Sequence, residues 1–248
     1  MNDLHTIAKG ARLIGCASSS IPKEAAARLT GDGSHLVRYA AKLPIVEINS
    51  SFYRPHRPST YARWAASVPD SFRFSVKIPR AITHDAKLLG VEPLLDQFIL
   101  EAGTLGDKLG CLLVQLPPKL AFDAEVAARF FAQLQQRFGG MVAFEGRNPS
   151  WFDQAATDLL RERGITRVIA DPAKGQPGPH VPTTGDIYMR LHGSPRIYYS
   201  SYTPEYLDAL AREMAAQTAA GHDVWCVFDN TASGAATVNA LDLLESEK

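Results

Sequence analysis

The sequence predicts an α/β fold, a TIM-type (β/α)8 barrel in which residues 1–248 form a single domain. Eight short β-rich runs alternate with helical patterns nearly throughout, and this order is typical of a parallel sheet. A length of 248 residues is normal for one such barrel. The first run ends in Gly-Cys-Ala-Ser-Ser and no G-x-G-x-x-G follows it, so an open dinucleotide-binding sheet is not favoured.

The predicted strands are short runs rich in β-branched, aromatic and other apolar residues. In chain order they are 12–17, 45–49, 72–78, 111–116, 141–145, 167–171, 187–192 and 224–230. The predicted helices are 34–43, 59–67, 87–105, 125–138, 154–163, 204–220 and 234–244. Thr203 before Pro204 is typical of a helix start, and Gly139, Gly164 and Gly221 stand where helices end.

The connection after the sixth strand is the one that lacks a helical pattern. Residues 172–179 read Pro-Ala-Lys-Gly-Gln-Pro-Gly-Pro, which contains too many helix-breaking residues for a helix. We therefore expect a Gly/Pro loop in place of the helix after strand six, either as a surface excursion or as a lid.

The composition predicts a cytoplasmic protein without a membrane partner. It is 46% hydrophobic and 21% charged, and no apolar run is long enough to cross a bilayer. Residues 1–5 lack the basic and apolar regions of a secretory signal. Cys16, Cys111 and Cys226 each lie in or at the end of an apolar run, as buried thiols do. The formal net charge of zero argues against attraction of the whole surface to nucleic acid or anionic lipid.

Polar residues alternate with apolar ones along several predicted strands. Glu47 and Asn49 alternate with Val46 and Ile48, and because residues two apart share a face, we expect the polar set to face the barrel interior. The same alternation assigns an inward direction to further polar residues: Lys77, Gln115, Glu145, Arg147, Asp171, Arg190, His192 and Asn230. Most of them lie late in their strands, where barrels of this type carry their active sites. The sequence therefore predicts one polar pocket.

An alternative interpretation is that these charges only neutralise one another. Three basic residues and three acidic residues face inward: Lys77, Arg147 and Arg190 with Glu47, Glu145 and Asp171. Removing a charge from water costs several kcal/mol, so Val, Ile and Leu would form a more stable core. This cost favours a functional site, although ion pairing stays open for any single residue.

The candidate catalytic residues are carboxylates, a histidine and a lysine: Glu47, Glu145, Asp171, His192 and Lys77. The carboxylates suit general acid or base catalysis. With His84 and His192 they could also bind a divalent metal, but no H-x-H or H-E-x-x-H spacing supports one. Lys77 could form a Schiff base or an ion pair with Glu47 or Glu145, and the ion pair is favoured.

A small anionic ligand, phosphorylated or sugar-like, is the leading expectation. Residues 230–236 form a loop of small residues that opens a helix, and helix N-termini after the last strands often bind phosphate in this fold. Arg147 and Arg190 would add donors that suit an anion. Tyr198, Tyr199 and Tyr202 crowd a polar loop where they could stack on bases, so nucleic acid is an alternative ligand.

Several long sequence segments are typical of one known family. They are VEINSSFYR (46–54), FRFSVKIPRAITH (72–84), VQLPP (114–118), YMRLHG (188–193), and Asn230 with Gly234 and Ala235. Through them the sequence resembles the YecE-like family, or domain of unknown function 72. The resemblance implies a TIM-type barrel but no established reaction. It also implies a set of motif residues: Glu47, Asn49, Tyr53, Lys77, Arg80, His84, Gln115, Glu145, Arg147, Arg190, His192 and Asn230.

The sequence departs from the family pattern at three places. Gly146 and Asn148 stand where relatives usually have Phe and His, and Asp229 stands where they usually have the first of two asparagines. The first strand leads into Ser18-Ser19-Ser20 rather than into a loop with tryptophan. We expect these changes to alter one wall of the pocket, with either a shifted substrate or lost catalysis.

The leading hypothesis is an enzyme, a hydrolase or an isomerase, with Glu145 or Glu47 as acid or base. The ligand-binding candidates are Asn49, Tyr53, Arg80, His84, Gln115, Arg147, Arg190 and Asn230. The alternatives are a nucleic-acid-binding protein, a metal-dependent phosphodiesterase, or a barrel that binds without catalysis. The sequence specifies neither a cofactor nor an oligomeric state.

Overall fold

Parallel strands form the centre of the protein. They are β1 (Arg12–Cys16), β2 (Ile45–Ile48), β3 (Arg73–Lys77), β4 (Leu109–Gln115), β5 (Met141–Glu145), β6 (Thr166–Arg167), β7 (Ile169–Asp171), β8 (Ile187–Leu191) and β9 (Val224–Phe228). The structure is a computed structural model that describes residues 10–246. Residues 1–5, considered above for a secretory signal, lie outside the described residues.

The strands form a nearly closed barrel in the order β6-β5-β4-β3-β2-β1-β9-β8-β7. The predicted sixth strand is divided, because it changes partner along its length: β6 pairs with β5, whereas β7 pairs with β8. Between them, the Val168 N–H still donates to the Phe144 carbonyl at 2.9 Å. The predicted TIM-type barrel is confirmed, with its sixth strand as two short pieces.

Helices surround the strands. They are α1 (His35–Ala40), α2 (Ser50–Tyr53), α3 (Pro58–Ala66), α4 (Glu92–Ala102), α5 (Ala124–Arg137), α6 (Gln154–Glu162), α7 (Pro204–Ala219) and α8 (Ala235–Glu245). The α7 start is as predicted, since the Thr203 hydroxyl accepts a hydrogen bond from Tyr206 N–H. The short α2 and a turn of π-helix, Ala81–Asp85, were not predicted. Both follow strands that deliver residues to the barrel mouth.

The connection between β7 and β8 has no helix, as the Gly/Pro content of residues 172–179 predicted. The predicted helix 87–105 is shorter in the structure. It is confined to α4, and the chain then continues as a 3-10 turn, Gly103–Lys108.

Two apolar layers hold the barrel. Val46, Ile48 and Phe74 belong to the large core between strands and helices, whereas Leu113 and Val227 belong to a smaller cluster on the opposite strand face, inside the barrel. The three cysteines are buried and free, as predicted. Within residues 10–246, no helix is long and apolar enough to cross a membrane. The inner apolar cluster fills much of the barrel interior below the ends of the strands.

Candidate functional site

Arg190, on β8, is the centre of a buried ion network. Its Nε and Nη2 donate to Glu47 Oε2 and Oε1 at 3.0 and 2.7 Å. Its Nη1 donates to Glu145 Oε2 at 2.6 Å, and Nη2 also donates to Asp229 Oδ2 at 3.0 Å. Arg190 and Glu47 have no exposed surface. Strands β2, β5, β8 and the end of β9 are thus joined through one guanidinium.

The two glutamates of this network have further partners. The Tyr188 hydroxyl donates to Glu47 Oε2 at 2.9 Å and lies 2.7 Å from the Ser75 hydroxyl. Glu145 Oε1 accepts from Gln115 Nε2 and from Arg147 Nε, both at 2.8 Å. All four carboxylate oxygens of Glu47 and Glu145 therefore have hydrogen-bond partners.

His192 follows β8 and is oriented by Asp229. Its Nδ1 lies 2.9 Å from Asp229 Oδ2. Within the described part of the chain its buried Nε2 has no hydrogen-bond partner, and Glu145 Oε1, at 3.7 Å, lies beyond hydrogen-bond distance. Asn49 Nδ2 supports Asp229 from the other side, at 3.3 Å from Oδ1. The geometry fixes the ring and leaves one nitrogen free to act.

The network shifts the pKa values of Glu145 and His192 in favour of their charged forms. Burial alone would raise the pKa of Glu145, but Arg190, His192 and Arg147 hold that pKa well below its usual range. Burial opposes the charge on His192, yet the hydrogen bond with Asp229 and the nearby carboxylate of Glu145 raise its pKa. Glu145 therefore stays a carboxylate near neutral pH, and His192 is the group poised to gain or lose a proton.

Lys77, at the end of β3, stands apart from these pairs. Among residues 10–246 no carboxylate oxygen lies within 4.0 Å of its Nζ and no hydrogen bond reaches it. Its ammonium lies 4.2 Å from the centroid of the Phe52 ring. Burial, together with the charge of Arg190, lowers the pKa of Lys77 to about 8. The favoured ion pair with Glu47 or Glu145 is therefore wrong, because Arg190 already holds both carboxylates.

The loop after β8 covers His192. The Tyr198 N–H donates to the His192 carbonyl at 2.6 Å, and the two rings meet edge to face at 5.8 Å between centroids. Tyr198 has a φ of +70°, which is uncommon for a residue other than glycine. Burial opposes the charge on Arg147, but Glu145 and then Tyr198 raise its pKa. Arg147, His192 and Tyr198 thus form one side of the mouth.

Access to this centre is narrow. Lys77 and His192 expose 7% and 3% of their surface. Two cavities flank the mouth. One, of about 230 Å³, is lined by Phe52, Tyr53 and Arg80, and the other, of about 180 Å³, by Ser18, Ser19 and Asn49. Neither cavity is lined by Lys77, His192 or Glu145, although the second is lined in part by Glu47.

Three predicted ligand-binding residues lie on the rim. Tyr53 is 78% exposed, and Arg80 is exposed with Nε at 3.2 Å from Asp85. His84 is half-buried and meets Phe52 edge to face at 4.9 Å. Burial and the nearby charges of Lys77, Arg80 and Arg147 lower the pKa of His84. These residues border the site without joining its hydrogen-bond network.

Two predicted site residues lie elsewhere. Asp171 shares a strand face with Ile169, which packs on the outer core, and its carboxylate accepts from the Tyr206 hydroxyl at 3.1 Å. Asn230 Nδ2 donates to the Ser200 carbonyl and to Asn239 Oδ1, both at 2.9 Å. Neither side chain hydrogen-bonds to Arg190 or to the His192 ring, although the Asp171 carbonyl accepts from the His192 N–H at 2.7 Å. Arg190 itself is fully buried among carboxylates, and four of its five N–H groups donate to them.

In residues 230–236, two backbone amides are already used within the loop. The Gly234 N–H donates to the Thr231 carbonyl and the Ala236 N–H to the Asn230 carbonyl, which reduces the donors available to an anion. The Ser233 hydroxyl donates to the Tyr199 carbonyl at 2.8 Å. These contacts anchor the loop to its neighbour after β8.

The set of residues considered for a metal is not brought together. Asp171 lies outside the cluster, and Arg190 occupies oxygens of Glu47 and Glu145. In the part of the chain that the structure describes, no three His, Cys, Asp or Glu side chains form a group that could hold a metal ion.

The residues that depart from the family pattern have identifiable contacts. A Cβ on Gly146 would lie 2.8 Å from Trp151 Cβ, so the larger residue of relatives does not fit this packing. Asn148 caps the turn Pro149–Phe152, where its Oδ1 accepts from Ser150 N–H at 3.1 Å. Asp229, where the family resemblance implies a neutral amide, is a charged partner of His192. The first two changes are structural, whereas the third changes the electrostatics of the site.

Asp229 and Tyr198 are site residues that the sequence reasoning missed. Counting in twos from Trp225 and Val227, both in the inner cluster, leads to Asp229 rather than to Asn230. The sequence therefore contained the signal for Asp229. The position of Tyr198 depends on the path of the loop after β8, for which no periodic pattern exists.

Comparisons with known proteins agree with the fold. A family model described as "Protein of unknown function DUF72" matches residues 13–248. UPF0759 protein YecE of Escherichia coli is 32% identical over 143 residues, which is 55% of this chain and 52% of that protein. The matched segment thus spans about half the length of YecE. UPF0759 protein YunF of Bacillus subtilis is 24% identical over 253 residues, with 87% of each chain covered.

Two solved structures of DUF72 family proteins are similar. The protein from Enterococcus faecalis superposes with a TM-score of 0.78 at 23% identity, covering 96% of this chain and 95% of that one. The protein from Thermotoga maritima gives a TM-score of 0.77 at 22% identity, covering 95% of this chain and 98% of that one. At these identities the likeness concerns the fold alone.

Proposed function

This chain belongs to the DUF72 family of proteins of unknown function, and we propose that it is a barrel enzyme that binds a small anionic substrate at its mouth. His192 moves a proton to or from that substrate. One observation carries the proposal: His192 Nε2 is buried without a hydrogen-bond partner, while Nδ1 is held by Asp229. Buried polar atoms usually have partners, and an exception at a cluster of charges suggests a place for a ligand.

The charges around His192 favour an anion. Arg190 is neutralised by the carboxylates that enclose it, whereas Arg147 and Lys77 lie nearer the mouth. Protonation of His192, whose pKa is raised, would add another positive charge beside them. A carboxylate or phosphate group of the substrate would replace the missing partner of Lys77 and of His192 Nε2.

The proton-transfer role suits His192 better than the glutamates. A general acid or base needs a free atom within hydrogen-bond reach of the substrate, and the oxygens of Glu47 and Glu145 are occupied. Asp229 holds the ring of His192 through Nδ1, so Nε2 lies on the side of the ring away from Asp229. An isomerase and a hydrolase both need such a group, so the reaction class remains the one expected from the sequence.

The narrow mouth favours a small molecule over nucleic acid. Phosphates on a duplex or a single strand could reach Arg80 and Tyr53 on the rim, but His192 is 3% exposed. A small molecule needs less exposed surface around His192 and Lys77 than a polymer backbone does. This contrast is the physical reason for preferring a metabolite-sized ligand.

Thermal unfolding tests the proposal. Inorganic phosphate, pyruvate and glucose 6-phosphate should each be compared with uncharged glucose, because a ligand that binds the folded state stabilises it according to its occupancy. We expect at least one anion to raise the unfolding temperature of the wild type and of Arg129→Ala, whose arginine is exposed on α5. Arg147→Ala and Lys77→Met should lose this effect.

The stabilising anion should also bind more weakly as pH rises through the raised pKa of His192. Stabilisation by oligonucleotides but by none of the small anions would contradict the proposal and favour the nucleic-acid alternative. Equal stabilisation of Arg147→Ala, Lys77→Met and the wild type would place the anion at another site.

A further inference from the structure

We infer that the Nζ of Lys77 is a nucleophile that condenses with the carbonyl group of a small oxo acid to form a Schiff base. An oxo acid here is a molecule with an aldehyde or ketone next to a carboxylate or phosphate group. The inference rests on the proposed function, because it assigns the substrate class of the same site. It also gives a role to the one charged side chain in the cluster that no carboxylate contacts.

Lys77 has the geometry that such an amine needs. It ends β3, on a strand face that points into the barrel, so the rigid sheet fixes its backbone at the mouth. The side chain is buried, yet its Nζ has no hydrogen bond or ion pair among residues 10–246. Its contact with the Phe52 ring, at 4.2 Å from the centroid, orients the chain without using the nitrogen lone pair.

The groups that face Lys77 keep its amine available. Glu47 on β2, Glu145 on β5 and Asp229 after β9 would each favour the ammonium form, but Arg190 binds all three. On the remaining sides, Arg147 adds a positive charge. His84, whose pKa is lowered, adds a neutral ring. Burial and Arg190 dominate, and they lower the pKa of Lys77 to about 8.

The lowered pKa changes how much neutral amine is present. A lysine of pKa about 8 is roughly one tenth neutral at pH 7, about 300-fold more than a lysine of the usual pKa of 10.5. Only the neutral amine has a lone pair to attack a carbonyl carbon. The same position could not react if the expected ion pair with Glu47 or Glu145 existed.

The balanced reaction uses His192 as its proton carrier. The Lys77 lone pair attacks the carbonyl carbon, the C=O π pair moves to oxygen, and oxygen takes a proton from His192 Nε2. The nitrogen then returns one proton to His192, which yields a neutral carbinolamine. His192 gives that proton to the hydroxyl group, water leaves, and the nitrogen lone pair forms the protonated C=N bond. One proton is consumed and one water is released.

The substrate class follows from the neighbours of Lys77. Arg147, on the same mouth, offers donors to the carboxylate or phosphate of the oxo acid, since only its Nε is used by Glu145. The Phe52 ring that contacts Lys77 also lines the cavity of about 230 Å³. That lining is mixed, with Leu94 and Phe98 beside Arg80 and Glu101, so the cavity does not specify the substituent of the carbonyl carbon.

Reductive trapping tests this inference. The full chain is incubated with pyruvate or glyoxylate and sodium borohydride, which adds hydride to a Schiff base and makes the bond permanent. Peptide mass spectrometry then locates the adduct. We expect the peptide that contains Lys77 to carry more than about ten times the adduct found on exposed Lys42, with a half-maximal pH near 8.

The controls are Lys77→Arg, which keeps the charge without a nucleophilic amine, and Lys42→Arg, which removes an exposed lysine. Trapping should be lost in the first variant and unchanged in the second. If Lys77→Arg fails to fold, the distribution of adduct in the wild type decides alone. Adduct spread evenly over exposed lysines, or its absence from Lys77, would overturn the inference.

The two proposals fail in different ways. Anion-induced stabilisation without any Lys77 adduct would leave the anion site standing and remove the Schiff base. Trapping at Lys77 without stabilisation by phosphate, pyruvate or glucose 6-phosphate would keep the nucleophile and remove the general anion site.

Discussion

Two layers of charge lie next to each other in the barrel and differ in how their polar atoms are satisfied. In the lower layer, Arg190 and Glu47 are fully buried and every charged atom of the pair has a partner. In the upper layer, neither Lys77 Nζ nor His192 Nε2 has a hydrogen-bond partner among residues 10–246. The difference teaches that the inward charges include both a structural ion network and a candidate site, which their shared strand face does not distinguish.

The lower layer predicts the largest effect on stability. Arg190→Met would leave Glu47, Glu145 and Asp229 buried without their common counter-charge, and breaking a buried pair in this way costs about 3–5 kcal/mol. Urea unfolding measures the loss. Arg80→Met, which breaks an exposed pair with Asp85, is the control and should cost below about 1 kcal/mol. Equal midpoints for the two variants would mean that Arg190 is not structural.

The upper layer predicts an effect of opposite sign. Because burial lowers the pKa of Lys77 to about 8 from 10.5, holding its ammonium in the folded state costs about 3 kcal/mol at pH 7. Lys77→Met should therefore stabilise the protein by up to this amount while it abolishes anion-induced stabilisation. A destabilised variant would show that Lys77 belongs to the structural layer.

The pH dependence of this effect has a defined sign. Between about pH 8 and 10.5 the unfolded chain binds more protons at Lys77 than the folded one, so this residue makes wild-type stability rise with pH. Urea unfolding at pH 7 and at pH 10 measures the difference in the free energy of unfolding between Lys77→Met and the wild type. We expect this difference to be smaller at pH 10. An unchanged difference would contradict the lowered pKa of Lys77.

Packing behind Glu145 and Arg147 predicts a smaller effect. A Cβ at position 146 would lie 2.8 Å from Trp151 Cβ, so Gly146→Ala should cost about 1–3 kcal/mol through overpacking. Gly178→Ala, where no atom lies within 4 Å of the added Cβ, is the matched control and should be near neutral or slightly stabilising. Thermal unfolding compares the two variants. Equal unfolding temperatures would show that Trp151 shifts to make room for the added methyl group.

Asp229 links the two layers and predicts the smallest change. Asp229→Asn replaces the carboxylate with the residue that relatives usually have, so the pKa of His192 should fall. Stability contributed by charged His192 is present below pH 6.5 and is lost as pH rises through the raised pKa, and the variant should show less of this dependence. Histidine NMR titration measures the pKa, with Asp85→Asn as the control. An unchanged value would remove Asp229 as the cause.

Most of the fold followed from local patterns. The alternation of Val46, Glu47 and Ile48 fixed both a strand and its inner face, because side-chain direction alternates along any strand. The division of the sixth strand at Val168 was not predictable, since it results from pairing with β5 on one side and β8 on the other.

The site was predictable as a location and less so as a set of roles. Inward alternation brought together Glu47, Glu145 and Arg190, but it could not show that one guanidinium would bind both carboxylates. That arrangement depends on distances across the barrel, and it is what leaves Lys77 unpaired. Asp171 was assigned to the wrong face because its charge was weighed above its alternation with Ala170, an inner residue.

The most direct test of the division into two layers is the response of His192 to an anion. In protein labelled with ¹⁵N-histidine and assigned with a His192→Gln variant, inorganic phosphate should shift the Nε2 resonance in a saturable way and raise the pKa of His192. The same titration of Lys77→Met should give a weaker response. A His192 resonance that does not respond to phosphate, pyruvate or glyoxylate would contradict a binding site in the upper layer and make the whole cluster structural.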